Sequence, residues 1–160
     1  MWAKVEKMNF RGITSITVDA KGRINMPARY RDELAQLSQG RIVVTIDAED
    51  PCLLIYPFNY WDEIEQQLIK LSGFNPTTKR IKRLLIGHAT EMVLDHNARL
   101  LLPPLLREYA HLTREAMLVG QGKKFELWDK VVWEAARSEW IKPAGDLTRE
   151  LPDELAGLSL

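Results

Sequence analysis

The feature that most constrains what this chain can fold into is an internal repeat. Val18-Asp19-Ala20-Lys21-Gly22-Arg23-Ile24-Asn25-Met26-Pro27 lines up with Leu94-Asp95-His96-Asn97-Ala98-Arg99-Leu100-Leu101-Leu102-Pro103. Both segments read apolar residue, Asp, three residues, Arg, three residues, Pro, at an offset of 76 residues from Asp19 to Asp95. The same offset carries Arg31 onto Arg107 and Ile42-Val43 onto Leu118-Val119. Further along it falls to 72, pairing Tyr56 with Trp128 and Trp61 with Trp133, and a shorter hairpin in the second copy is the expected cause. A unit this small cannot bury its own apolar face, so its sister copy must cover it. The repeat therefore predicts one pseudo-twofold body whose halves share a strand order.

Each copy has the same local grammar. Ile13 to Val18 alternates as a half-buried strand should, Asp19 to Arg23 turns the chain, and Ile24 to Met26 begins a return strand. Gly22 suits a turn position with positive φ; in the second copy Ala98 stands there, so Asn97 is the expected left-handed residue and the second turn is expected to differ in shape. Pro27 and Pro103 fit the first turn of a short helix. Arg41 to Asp47 and Cys52 to Tyr56 are the next strands, with Ala116 to Gln121 and Lys124 to Trp128 as counterparts. The expected fold class is α+β, mainly β, made of tandem β-β-α-β-β units. Between the copies, Trp61, Ile64, Leu68 and Leu71 recur at helical spacing, and Asn75-Pro76 caps a second helix. Beyond Lys142 the periodicity fades into a partly ordered tail.

Catalytic chemistry finds little support. There is no G-x-S-x-G, phosphate loop, C-x-x-C or H-E-x-x-H, and His88, His96 and His111 fall in different elements. The single cysteine, Cys52, sits in an apolar run and is expected to be a buried thiol in a reducing compartment. No segment resembles a signal peptide or a membrane span, so a soluble intracellular protein is expected. No cofactor, metal or small-molecule substrate is implied.

Charge is informative through placement. Lys and Arg total 22 against 22 Asp and Glu, a net charge of zero. Yet Arg11, Lys21, Arg23, Arg29 and Arg31 face Asp19 alone in the first copy, and Lys70, Lys79, Arg80, Lys82 and Arg83 form a run without an acid. From Asp47 to Glu65 the charges are all acidic. A neutral chain can thus present a basic face. The turn arginines stand out. Arg23 and Arg99 occupy the same seat in both copies, at the exit of an exposed loop, each four residues after an Asp that would brace it. A forked guanidinium there suits phosphate or guanine.

With Asn9-Phe10-Arg11-Gly12, the two D-x-x-x-R turns, Asn75-Pro76 followed by Arg80 to Ala89, and Lys124-Phe125-Glu126-Leu127-Trp128, the chain resembles the MraZ family from near Met8 onward. The resemblance implies an AbrB-like (SpoVT-AbrB) double-split barrel, with copies at 8–60 and 87–133, a helical linker at 61–86, and a C-terminal helix and tail at 134–160. It further implies a ring-shaped homo-oligomer and a cytoplasmic, nucleoid-associated transcriptional regulator. That regulator would bind double-stranded DNA at short direct repeats upstream of its own operon in the division and cell-wall gene cluster. Arg23 and Arg99 take the family's DNA-contacting role, with Lys21, Asn97 and Arg31 as further candidates. The competing reading is a non-catalytic interaction or assembly module that forms a ring.

Overall fold

The computed structural model describes residues 9–142 and 152–159. The first copy contains β1 (Ile13–Thr17), β2 (Arg23–Asn25), α1 (Ala28–Ser38), β3 (Arg41–Ile46), β4 (Leu53–Pro57) and α2 (Phe58–Lys70). After a connecting helix α3 (Pro76–Leu85), the second repeats the order as β5 (Thr90–Val93), β6 (Arg99–Leu101), α4 (Pro104–Tyr109), β7 (Glu115–Gly120), β8 (Phe125–Asp129) and α5 (Lys130–Ile141). The β-β-α-β-β order is thus the same in both halves, and each is followed by a helix. The tail expected beyond Lys142 falls largely outside the described residues; within it a single turn, α6 (Asp153–Ala156), is described.

The strands form a six-stranded sheet in the order β1-β7-β8-β4-β3-β5 and a separate two-stranded ribbon, β2-β6. Exchanging each strand with its repeat equivalent reverses the sheet order and leaves it unchanged, which is the mark of a pseudo-twofold axis. The axis can be located from register. Leu54 pairs with Glu126, its own counterpart at offset 72, and Ile24 pairs with Leu100, its counterpart at offset 76. The duplicated chain therefore joins its halves at two self-pairing points, one in the sheet and one in the ribbon.

The structure corrects several local expectations. The offset falls in two steps: β3 and β7 are related by 74, since the equivalent bonds Leu94 N to Gly40 O and Val18 N to Arg114 O anchor their starts. Val44, not Ile42, is therefore the counterpart of Leu118. Two residues are lost around the shorter helix α4, and two more in the β7–β8 hairpin. Strand side chains alternate with period two, so a slip of two leaves every face unchanged and the hydrophobic pattern cannot register it. Pro27 and Pro103 precede their helices at φ −53° and −59° with extended ψ, rather than occupying the first turn. Proline's fixed φ suits either place. Leu71 leaves the stripe of α2: it is extended and 51% exposed, with its carbonyl accepting a bond from Lys82 Nζ. Asn75 does cap α3, its Oδ1 accepting from the amides of Thr77 (2.8 Å) and Thr78 (3.3 Å).

Both faces of the sheet are covered. One packs Ile42, Val44, Ile55, Leu118 and Phe125 against the ribbon residues Ile24 and Leu100 and against α1 and α4. There Phe10 stacks on Phe125 with centroids 4.3 Å apart. The other face holds the repeated aromatic pairs, Tyr56 with Trp61 at 5.5 Å and Trp128 with Trp133 at 5.6 Å, under α2 and α5. Cys52 is buried there, as expected, and burial pushes its thiol pKa far up.

Glu126 is the unexpected member of this second cluster. It sits on the axis, 8% exposed, with Oε1 accepting a 2.9 Å bond from Trp128 Nε1. Burial raises its pKa above the usual carboxylate value, against the opposing effect of the Trp128 bond. A carboxyl raised in the folded state stabilises the fold below its unfolded pKa and loses that contribution as pH rises through the folded value. Glu126→Gln, which keeps an acceptor for Trp128, should therefore be more stable than wild type at neutral pH, with the advantage shrinking as pH falls toward 4.5. Thermal unfolding of both proteins across that range checks this; parallel curves would show that Glu126 carries no ionisation penalty.

Candidate functional site

The two D-x-x-x-R turns are built alike, bond for bond. In the first, Asp19 Oδ1 accepts from the amides of Lys21 and Arg23, both at 2.9 Å, and Oδ2 accepts from Arg23 Nε at 2.8 Å. In the second, Asp95 Oδ1 accepts from Asn97 N at 2.8 Å and Arg99 N at 2.9 Å, and Oδ2 from Arg99 Nε at 3.0 Å. These bonds hold both carboxyls below their ordinary pKa. The largest cause is the arginine's backbone N–H rather than its guanidinium charge. The aspartate is thus chiefly a brace for the loop backbone, and it fixes the arginine stem while leaving the terminal guanidinium nitrogens without a hydrogen-bond partner among the described residues.

The second turn does not differ in shape, and its left-handed residue is Ala98 (φ 58°), not Asn97. The bond from Ala98 N to Asp95 O (2.8 Å) repeats that from Gly22 N to Asp19 O (2.9 Å), so the geometry demands a left-handed residue at that seat whatever occupies it. Alanine there costs on the order of 1 kcal/mol. Gly22, at φ 88°, has a second reason to lack a side chain: a Cβ would lie 2.6 Å from the guanidinium carbon of Arg107.

Pairing of β2 with β6 brings the loops together. Arg23 lies opposite Leu101 and Asn25 opposite Arg99, while Ile24 and Leu100 face the core at 1% exposure each. Directly opposed residues share a face, so Arg23, Asn25, Arg99 and Leu101 all project outward. The two arginines are diagonal neighbours, on the order of 7–8 Å apart at Cα. Lys21 and Asn97 are exposed on the flanking loops. Arg31 is also exposed but stands on α1 rather than on the ribbon or its two loops. Its counterpart Arg107 turns inward, Nε donating to the Leu102 carbonyl at 3.1 Å. The sequence motifs pointed to the arginines and missed Asn25 and Leu101. Alternation through Arg23-Ile24-Asn25 and Arg99-Leu100-Leu101, two residues past each motif, was the signal that could have found them.

Elsewhere among the described residues, Asp47, Cys52 and Glu126 bring three potential metal-ligating atoms within 4.8 Å of one another. The group is held by its own bonds: Cys52 Sγ faces Asp47 Oδ2 at 3.9 Å, and Glu126 serves Trp128. Among the basic residues of α3, Lys79, Arg80 and Arg83 are exposed, and Lys82 is tied to Leu71. None of the described helices is long and apolar enough to cross a membrane.

Comparison with known proteins gives the arrangement its relatives. The sequence model of the MraZ protein family matches residues 9–84 and again residues 85–144. A protein of Coxiella burnetii (strain RSA 493 / Nine Mile phase I) named transcriptional regulator MraZ is 56% identical over 154 residues, 94% of this chain and 99% of the relative. Proteins of that name from Halorhodospira halophila and Legionella pneumophila (strain Paris) are 50% and 48% identical over 151 residues, with the same coverage. With a duplicated match over most of its length and relatives this similar, the chain belongs to the MraZ family.

Proposed function

We propose that this chain is a non-catalytic, sequence-specific DNA-binding transcriptional regulator whose reading head is the β2–β6 ribbon with its two loops. It binds short direct repeats upstream of its own operon, in the bacterial division and cell-wall gene cluster, as a ring of identical copies at the nucleoid. The observation that carries this reading is the pair of Asp-braced arginines, related by the pseudo-twofold axis and presented on one outward face. Arg23 and Arg99 contact base edges, Lys21 and Arg31 neutralise phosphates, and Asn97 adds a polar contact from within the second loop. A braced guanidinium loses little conformational freedom on binding, which favours a fixed contact over a diffuse one. The relatives' name, transcriptional regulator, agrees with this chemistry.

The test is titration of the protein against a duplex carrying those upstream repeats and against a scrambled duplex, over a salt series. Binding should fall steeply with salt on both, with a slope near −0.9 per neutralised phosphate, and the repeat duplex should bind more tightly throughout. Equal affinity for the two duplexes would remove sequence specificity. Absence of binding would leave the assembly-module reading, which the exposed Val131 (72%), Trp140 (57%) and Ile141 (59%) of α5 favour.

A further inference from the structure

We propose that Asn25 and Leu101 set the direction in which a protomer reads DNA, by breaking the twofold symmetry of the ribbon at its centre. The inference rests on the DNA-binding reading above and adds a specificity-determining pair to it.

The pseudo-twofold axis passes through the Ile24–Leu100 pair, so it exchanges Arg23 with Arg99 and Asn25 with Leu101. The arginines are chemically identical, braced alike and almost equally accessible, with side chains 31% and 32% exposed. They look the same from either direction along a groove. A head made of them alone would favour an inverted repeat, since a twofold protein surface matches a twofold arrangement of base edges. Asn25 and Leu101 differ as much as two side chains of similar size can. Asn25 is exposed, and its amide has no hydrogen-bond partner among the described residues. Leu101 is 59% exposed and can neither donate nor accept.

A two-stranded antiparallel ribbon fits the major groove, where each base pair shows a distinct pattern. There a carboxamide matches adenine, donating to N7 and accepting from the N6 amino group, whereas an aliphatic side chain suits the thymine methyl. On the other diagonal of the same face, Asn25 opposite Arg99 and Leu101 opposite Arg23, the pair gives the head an adenine-reading end and a methyl-packing end. A half-site so read has a direction. Identical protomers following one another in the same orientation would then meet that half-site repeated head to tail. The other asymmetric equivalents, Lys21 with Asn97 and Ala20 with His96, lie on the loops rather than on the ribbon face, where contact with phosphate carries no sequence information.

Selection of preferred half-sites from a randomised duplex pool, by wild type, Asn25→Leu and Leu101→Asn, tests this. Wild type should select a directional motif. Asn25→Leu should lose one adenine position, by about 5- to 150-fold in preference, and Leu101→Asn should select a motif that reads the same on both strands. Both positions are exposed, and Asn25→Ala, a smaller change, must erase the same position. The same motif from all four proteins would overturn this inference while leaving DNA binding intact. Failure of wild type to select any motif would overturn the DNA-binding reading itself, and this inference with it.

Discussion

Arg23→Ala is expected to weaken binding to the upstream repeats by about 1–3 kcal/mol and to flatten the preference over scrambled DNA. The loop should survive the change. Asp19 loses the Nε bond but keeps the two amide donors at Lys21 and position 23, which do most to hold its carboxylate, and Gly22 N still closes the turn on the Asp19 carbonyl. Any loss of binding therefore reports the guanidinium and not a collapsed loop. If Arg23 meets phosphate alone, affinity should fall alike on both duplexes and the salt slope should shrink by about one charge. Arg99→Ala should behave in parallel, because its loop has the same bonds despite Ala98. A folded Arg23→Ala protein that binds the repeats as tightly and selectively as wild type would refute the ribbon as reading head. The exposed Lys79, Arg80 and Arg83 of α3 would then be the next basic surface to test by charge reversal.

The parts of this structure that were legible in the sequence are those encoded by pairs of residues rather than by single ones. Asp19 with Arg23, and Asp95 with Arg99, foretold both turns because the brace needs that spacing. Tyr56 with Trp128 and Trp61 with Trp133 marked equivalent positions in the two copies, though not the ring contacts that Tyr56 makes with Trp61 and Trp128 with Trp133. What escaped was encoded by tertiary geometry. The left-handed seat went to Ala98 because the hydrogen bond from its N–H to the Asp95 carbonyl fixes the conformation there, overriding the intrinsic preference that favoured Asn97. The intermediate offset of 74 escaped because strand alternation repeats every two residues. Local alternation can put Asn25 on the same side of β2 as Arg23, but that the two loops share one face follows only once β2 is known to pair with β6, a partner 76 residues away in sequence.

Duplication also explains why the halves need not be equally robust, and Trp128→Ala should expose the difference. Trp128 is 1% exposed, with ring centroids 5.6 Å from both Trp133 and Trp140, whereas its counterpart Tyr56 is 7% exposed and has one such neighbour, Trp61, among the described residues. Truncating a tryptophan in such a setting costs about 3–5 kcal/mol, through lost burial and the cavity left behind. Here a second cost adds to it: Glu126 loses its Nε1–H donor while remaining in a site whose burial already disfavours its charge. Trp128→Phe restores much of the ring contact but not the donor, so it should fall between wild type and Trp128→Ala. Pairing either change with Glu126→Gln should recover part of the loss. Tyr56→Ala should be milder than Trp128→Ala. Urea unfolding at one fixed protomer concentration, which keeps any contribution from assembly constant, measures all of these. An unfolding free energy for Trp128→Ala within about 1 kcal/mol of wild type would mean that the aromatic cluster under α5 is not the second core that its burial describes.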